Sequence, residues 1–288
     1  MRSSTFKQLI AVCLLAAAIA ATARPGAARA QADPAAAAIG AALQGDAAGA
    51  RALMLAAGAE LDEADIRLQR CLAERFAPGA APVAAPADLD GLPRSALEAY
   101  RAYWQRALLN PADAAEAEDA LRERLREALR MSTGAGLDSL TRELNDRLAR
   151  EGWRSLQGRT GRLQEFMMWR RQEDRTYAVA LPEGPFEVQV VLLNDFASLG
   201  WGDYATCGRR GAGGWARSDR LFAVAPRYAS LEGEEFRVTF LGHETQHFAD
   251  LRRWPELAAW RLEYRAKFVE LAQADATRPR VLRKFEED

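Results

Sequence analysis

Apolar positions recur every three or four residues over much of the first 173 positions. That spacing places side chains on one face of a helix. From about 47 to 75 the set is Leu53, Ala57, Leu61, Ile66, Leu68 and Leu72, with Gly58 separating two helices. Residues 77–93 hold four prolines among Ala and Gly and read as a linker or an extended surface segment. From 94 to 173 the pattern predicts helix throughout. Leu97, Tyr100, Tyr103, Trp104 and Leu108 form one stripe, and Asn110-Pro111 marks a boundary, with Asn110 as N-cap. Leu121, Leu125 and Leu129, then Leu137, Leu140, Leu144 and Leu148, continue the pattern on either side of a break at 132–136. Trp153, Leu156, Leu163, Phe166, Met167 and Trp169 read as a last helical core set. Interspersed Arg and Glu are solvated helix faces.

The period changes near Asp174. Residues 177–181 predict a strand and Pro182-Glu183-Gly184-Pro185 a turn. Phe186, Val188, Val190 and Leu192 then alternate with polar residues, so the pair reads as a hairpin with one buried face. Residues 194–204 read as loop. Residues 207–214 hold four glycines and two arginines and read as a mobile loop or a flap. They lack the Gly-Lys-Ser/Thr ending of a phosphate loop. Residues 221–224 are a short strand. A helix is expected from Leu231 or Glu232, with Ser230 as N-cap and acidic residues in its first turns. Phe236, Phe240, His243, His247 and Leu251 would share one face of it. Another helix is expected over 255–271.

Composition narrows the class. The chain has 288 residues, of which 49% are hydrophobic, and a formal net charge of -1. That is apolar material enough for a sizeable core. It offers no basic stripe for a nucleic-acid partner. Arg2 and Lys7 precede an uncharged apolar run at 9–21, and Ala28-Arg29-Ala30 fits a cleavage site, with Ala21-Thr22-Ala23 as the competitor. The run is short for a membrane span. Residues 1–30 are therefore expected to be a signal peptide, and the mature chain to be exported, periplasmic or secreted, with no transmembrane segment. Cys13 falls within that peptide. Cys71 and Cys207 remain, either paired or as two separate buried thiols. The remaining expected regions are an Ala/Pro-rich segment at 31–93, flexible at its start, a helical region at 94–173, and a catalytic domain at 174–288.

The candidate chemistry lies in His243-Glu244-Thr245-Gln246-His247, which contains both histidines of the protein. On a helix, residues four apart share a face, so both imidazoles reach one metal ion. Glu244 then sits beside the open coordination position, where it can take a proton from water. Catalytic zinc takes three protein ligands. With no third histidine, the third must be a carboxylate. Asp250, Glu256, Glu263 and Glu270 are candidates. Glu263 is favoured because Ala259 and Ala266 beside it would let its helix approach closely. Tyr228, Tyr264 and Arg265 are candidates to stabilise an oxyanion.

His243-Glu244-x-x-His247 followed by a glutamate on a later helix resembles the zincin metallopeptidases of the gluzincin type. The resemblance covers about 175–275. It implies a Zn2+ cofactor, Glu244 as general base, His243, His247 and Glu263 as ligands, and residues 221–224 as an edge strand along the substrate cleft. The metzincin extension is absent, since positions 250 and 253 are Asp250 and Arg253. The expected fold is thus α+β and mostly helical. A small antiparallel or mixed sheet, the His-bearing helix and a ligand helix would make a zincin-like domain behind a helical region. The expected function is an exported zinc-dependent hydrolase, a metallopeptidase acting on a peptide or protein. The alternative is a periplasmic binding or scaffold protein with a structural or inactive zinc site.

Overall fold

The computed structural model describes residues 33–287 except 59, 60 and 218. The expected signal peptide lies outside the described residues. The chain is α+β. Its helices are α1 (Pro34–Leu43), α2 (Ala47–Ala56), α3 (Glu63–Arg75), α4 (Gly91–Leu109), α5 (Ala114–Ala128), α6 (Leu137–Arg150), α7 (Trp201–Ala205), α8 (Glu234–Phe236), α9 (His243–Arg253), α10 (Ala259–Gln273) and α11 (Arg278–Glu287). Its strands are β1 (Arg154–Thr160), β2 (Leu163–Leu181), β3 (Gly184–Leu199), β4 (Gly214–Ala216) and β5 (Leu221–Val224). They form one mixed sheet in the order β1-β2-β3-β5-β4. β1 and β2 are antiparallel, β3 and β5 parallel, and β4 and β5 antiparallel.

Two units divide the chain. One comprises the described residues up to Arg170 together with Asp195–Ala212; the other comprises Arg171–Asn194 and the chain from Gly213 onward. In the first unit, α4 buries the expected stripe of Leu97, Tyr100, Tyr103, Trp104 and Leu108. Leu121 and Leu125 of α5 and Leu140, Leu144 and Leu148 of α6 are also buried. The start of the 31–93 segment is expected to be flexible; residues 31 and 32 lie outside the described residues, and from Pro34 the segment is helical. Asp33 accepts hydrogen bonds from the Ala35 and Ala36 amides, Pro34 takes the first helical position, and Asp46 caps α2. Ala35, Ala38 and Ala42 are buried, so this helix packs through small residues that carry little hydrophobic signal. Residues 77–90 are extended surface rather than linker, held by Gln105 on the Ala80 carbonyl and by Arg94 on the Pro86 and Ala87 carbonyls. Cys71 and Cys207 are joined, with Cα atoms 6.2 Å apart.

One correction concerns 154–173, where the expected helix is a hairpin. Thr160 pairs with Leu163 across a two-residue turn at Gly161-Arg162, and Gly161 has φ +58°. All seven residues from Leu163 to Trp169 are buried, polar ones included. Gln164 survives burial because its amide donates to Tyr103 Oη and its carbonyl accepts from Trp104 Nε1. Glu165 accepts from Thr160 Oγ1 and from the Phe166 and Trp201 amides. A strand buried on both faces has no period of two, so Leu163, Phe166 and Met167 read as helical spacing.

In the second unit, the turn at Pro182-Glu183 joins β2 to β3 as expected, and β3 alternates before becoming buried on both faces from Val190 to Leu193. The 194–204 stretch is not loop: it completes β3 and forms α7 in the first unit. Phe236, Phe240, Leu241 and Val269 pack with Val190, Leu192 and Leu221 into the second unit's core.

Candidate metal centre

The helix that carries the histidines is built in three parts. It begins at α8, with Gly233 rather than Ser230 at the N-cap, and passes through a π-helical turn over Arg237–Gly242 before becoming α9. Ser230 Oγ instead accepts from the Glu232 amide. A π turn fits extra backbone into one helical turn and rotates the helix beyond it, a feature frequent at functional sites. His243 is the first residue after it. The face expected to run on to Leu251 ends at His247. His247 is 7% exposed and Leu251 42%, although both lie in the regular α-helix after the π turn.

Glycines set the spacing around the site. A Cβ on Gly242 would meet the Val269 and Gln273 side chains, so α10 lies against the start of α9. Ala266 is fully buried in the same helix. Ala259, also expected to line that contact, is exposed. A Cβ on Gly214 would come within 2.3 Å of the Phe240 ring and 2.4 Å of the Phe222 carbonyl. β4 can therefore lie on Phe240 only with glycine there.

His243, His247 and Glu263 converge. Their ligand atoms all lie within 4.8 Å of one another. His243 Nε2 is 2.9 Å from His247 Nε2 and 3.5 Å from Glu263 Oε2, and His247 Nε2 is 3.5 Å from Glu263 Oε1. Two ligands bound tetrahedrally to zinc at about 2.0–2.1 Å are about 3.3 Å apart, so the donor set fits that ion, with the two nitrogens slightly close. Glu263 titrates well below the ordinary carboxylate range because both imidazoles bond it. Burial works most strongly against charge on His243, yet the bonds to Glu263 and Glu270 prevail and raise it to about 9.

The other candidates separate. Glu270 is not placed with the ligand atoms. Its Oε1 lies 2.5 Å from His243 Nδ1, on the opposite edge of the ring. Asp250 is 2% exposed and accepts from Gln246 Nε2 and Arg265 Nε. Glu256 is exposed. Arg265 also bonds Glu183, so it ties the β2–β3 turn to α9 instead of facing the histidines. Tyr264 is 53% exposed and packs against Phe268. Tyr228 is partly buried among Phe236 and Phe240, and its hydroxyl donates to the Gly213 carbonyl at 3.0 Å. Burial first, then the charge of Glu244, push its pKa up, which places it in the electrostatic neighbourhood of the proposed base. Glu244 is itself raised, chiefly by burial.

The role of Glu270 was not anticipated beyond its place among the candidate ligands. The signal was present, since Glu263 and Glu270 are seven residues apart and seven residues bring a helix within about 20° of the same face. The 207–214 loop is anchored at its start by the disulfide and by Arg209 on Asp65, while Gly214 begins β4. Comparison with family models, curated proteins and solved structures returns no match, so any functional reading rests on these residues.

Proposed function

We propose that this chain is an exported zinc-dependent hydrolase of the zincin type, a metallopeptidase acting on a peptide or protein substrate. One observation carries the reading: two imidazole Nε2 atoms and the Glu263 carboxylate converge, with Glu244 next to the first ligand. A zinc ion held there would supply a Lewis-acid charge that polarises a carbonyl and lowers the pKa of water. Three protein groups converge among the described residues, and Glu270 is engaged on the far edge of His243. That count supports an open site over a closed structural one. Glu244 fits the base, because burial raises its carboxyl toward the range in which a base both accepts and returns a proton. Tyr228 is favoured over Tyr264 and Arg265 as oxyanion donor, since its hydroxyl keeps its proton and lies in the field of Glu244. The Cys71–Cys207 bridge supports an oxidising compartment, as the leader-like N-terminus does.

The test pairs metal content with cleavage. The full chain should carry about one zinc, Glu263→Ala should lose it, and Glu244→Gln should keep it while hydrolysis of a peptide library falls by about 10²–10⁴. Undiminished cleavage by Glu244→Gln would remove Glu244 from the base role. A metal-free wild-type protein would remove the whole reading.

A further inference from the structure

Five of the exposed large apolar side chains in the second unit lie between 251 and 268: Leu251, Trp254, Trp260, Tyr264 and Phe268. Trp260, Tyr264 and Phe268 are four residues apart on α10, so they form one stripe turning about 80° along the helix. Trp260 is 65% exposed, the highest value among the chain's exposed large apolar residues. Tyr264 and Phe268 pack edge to face at 4.6 Å, which fixes the stripe, and they stay 53% and 48% exposed. The segment before α10 continues the pattern, with Leu251, Arg252, Arg253, Trp254, Pro255 and Glu256 all exposed.

Charge identifies the partner that would cover this surface. Arg253 lies over the Trp254 ring at 4.7 Å and Arg261 over Trp260 at 5.1 Å, while Arg252 lies over Phe186 at 5.6 Å. Among the described residues no carboxylate pairs with any of the three. Arg265 differs: it is bonded to Asp250 and Glu183. Glu256 is the only exposed acid in the 251–268 stretch. Exposed aromatic side chains accompanied by arginines without carboxylate partners are the composition that settles at a bilayer interface, where rings enter the acyl boundary and cations meet phosphate. No helix among the described residues is long and apolar enough to cross a membrane. We infer that the 251–268 face docks on an anionic phospholipid bilayer, with Trp254, Trp260, Tyr264 and Phe268 inserted and Arg252, Arg253 and Arg261 on lipid phosphates.

The inference does not depend on zinc and is tested without it. The full chain is sedimented with vesicles of phosphatidylcholine alone or mixed with phosphatidylglycerol. It should partition onto the mixed vesicles only, and less as salt rises. Trp260→Ala with Phe268→Ala should lower partitioning by on the order of tenfold or more. Arg252→Gln with Arg253→Gln should lower it about fivefold per arginine. These side chains are exposed, and unchanged circular dichroism and melting would show that each variant folds. The proposal is overturned if the wild-type chain stays in the supernatant with both vesicle types, or if both variants bind as well as wild type. It is also overturned if the wild-type chain ignores vesicles but elutes as a dimer that Trp260→Ala dissociates, for then the face joins two copies.

Discussion

The His243–Glu270 hydrogen bond holds a proton on Nδ1, so that the proton lost on metal binding would be the one on Nε2, the atom that faces His247 and Glu263. A carboxylate in that position orients a ligating ring and raises its basicity. Because the metal-free His243 titrates at about 9, a metal must displace its proton near neutral pH. Zinc titration in buffers of different ionisation enthalpy should therefore register release of about one proton per ion. Glu270→Gln should weaken zinc binding about 10- to 100-fold with secondary structure unchanged, and equal affinity would show that the carboxylate does not support the ligand. At this scale the sequence was informative where the relation is local. The four-residue spacing of His243 and His247 fixes their shared face on any helix. Glu263 was proposed from counting ligands, and its carboxylate lies beside both Nε2 atoms. Glu270 did not separate from the ligand candidates, because two carboxylates on one face reach different atoms according to how far the next helix stands off. Gly242 and Ala266 set that distance.

Elements depend on both local chemistry and the surfaces they pack against. Glu234, at the start of α8, accepts from the Thr277 hydroxyl and from the amides of Asp275, Ala276 and Thr277 at the entry to α11. The Thr277 hydroxyl foremost, with these amides, holds its carboxyl at about 2, below the ordinary 4.5. A depressed folded pKa contributes stability present above the unfolded value and lost as pH falls through the folded one. Acid titration should therefore loosen this contact between about 4.5 and 2. Glu234→Gln should flatten the wild-type loss of stability across that window, and an identical acid profile would dismiss the contribution. Gly214→Ala should lower the melting temperature, since the added carbon collides with both Phe240 and the Phe222 carbonyl. Wild-type melting would show that β4 can shift. The helices α4, α5 and α6 were legible because their leucine and aromatic stripes are amphipathic. The β1–β2 hairpin was not, because burial of both faces of 163–169 erases the alternation that marks a strand.

Over the whole molecule, one bridge closes a long loop. Cys71 and Cys207 are 136 residues apart, both in the first unit. A loop of that length constrains the unfolded chain strongly, so Cys71→Ser with Cys207→Ser should cost on the order of 3–5 kcal/mol in denaturant titration. A loss below about 1 kcal/mol would mean the oxidised and reduced unfolded chains are similarly restricted. The sequence by itself determined the amphipathic helices, the β2–β3 turn and the face shared by the two histidines, since each follows from spacing within one element. The tertiary structure decided the rest. It made strands of 154–173, returned 195–212 to the first unit, joined the cysteines, and sent Glu263 to the Nε2 edge and Glu270 to the Nδ1 edge of His243. These outcomes depend on which distant residues bury a segment or bond its polar groups. No local period records that choice.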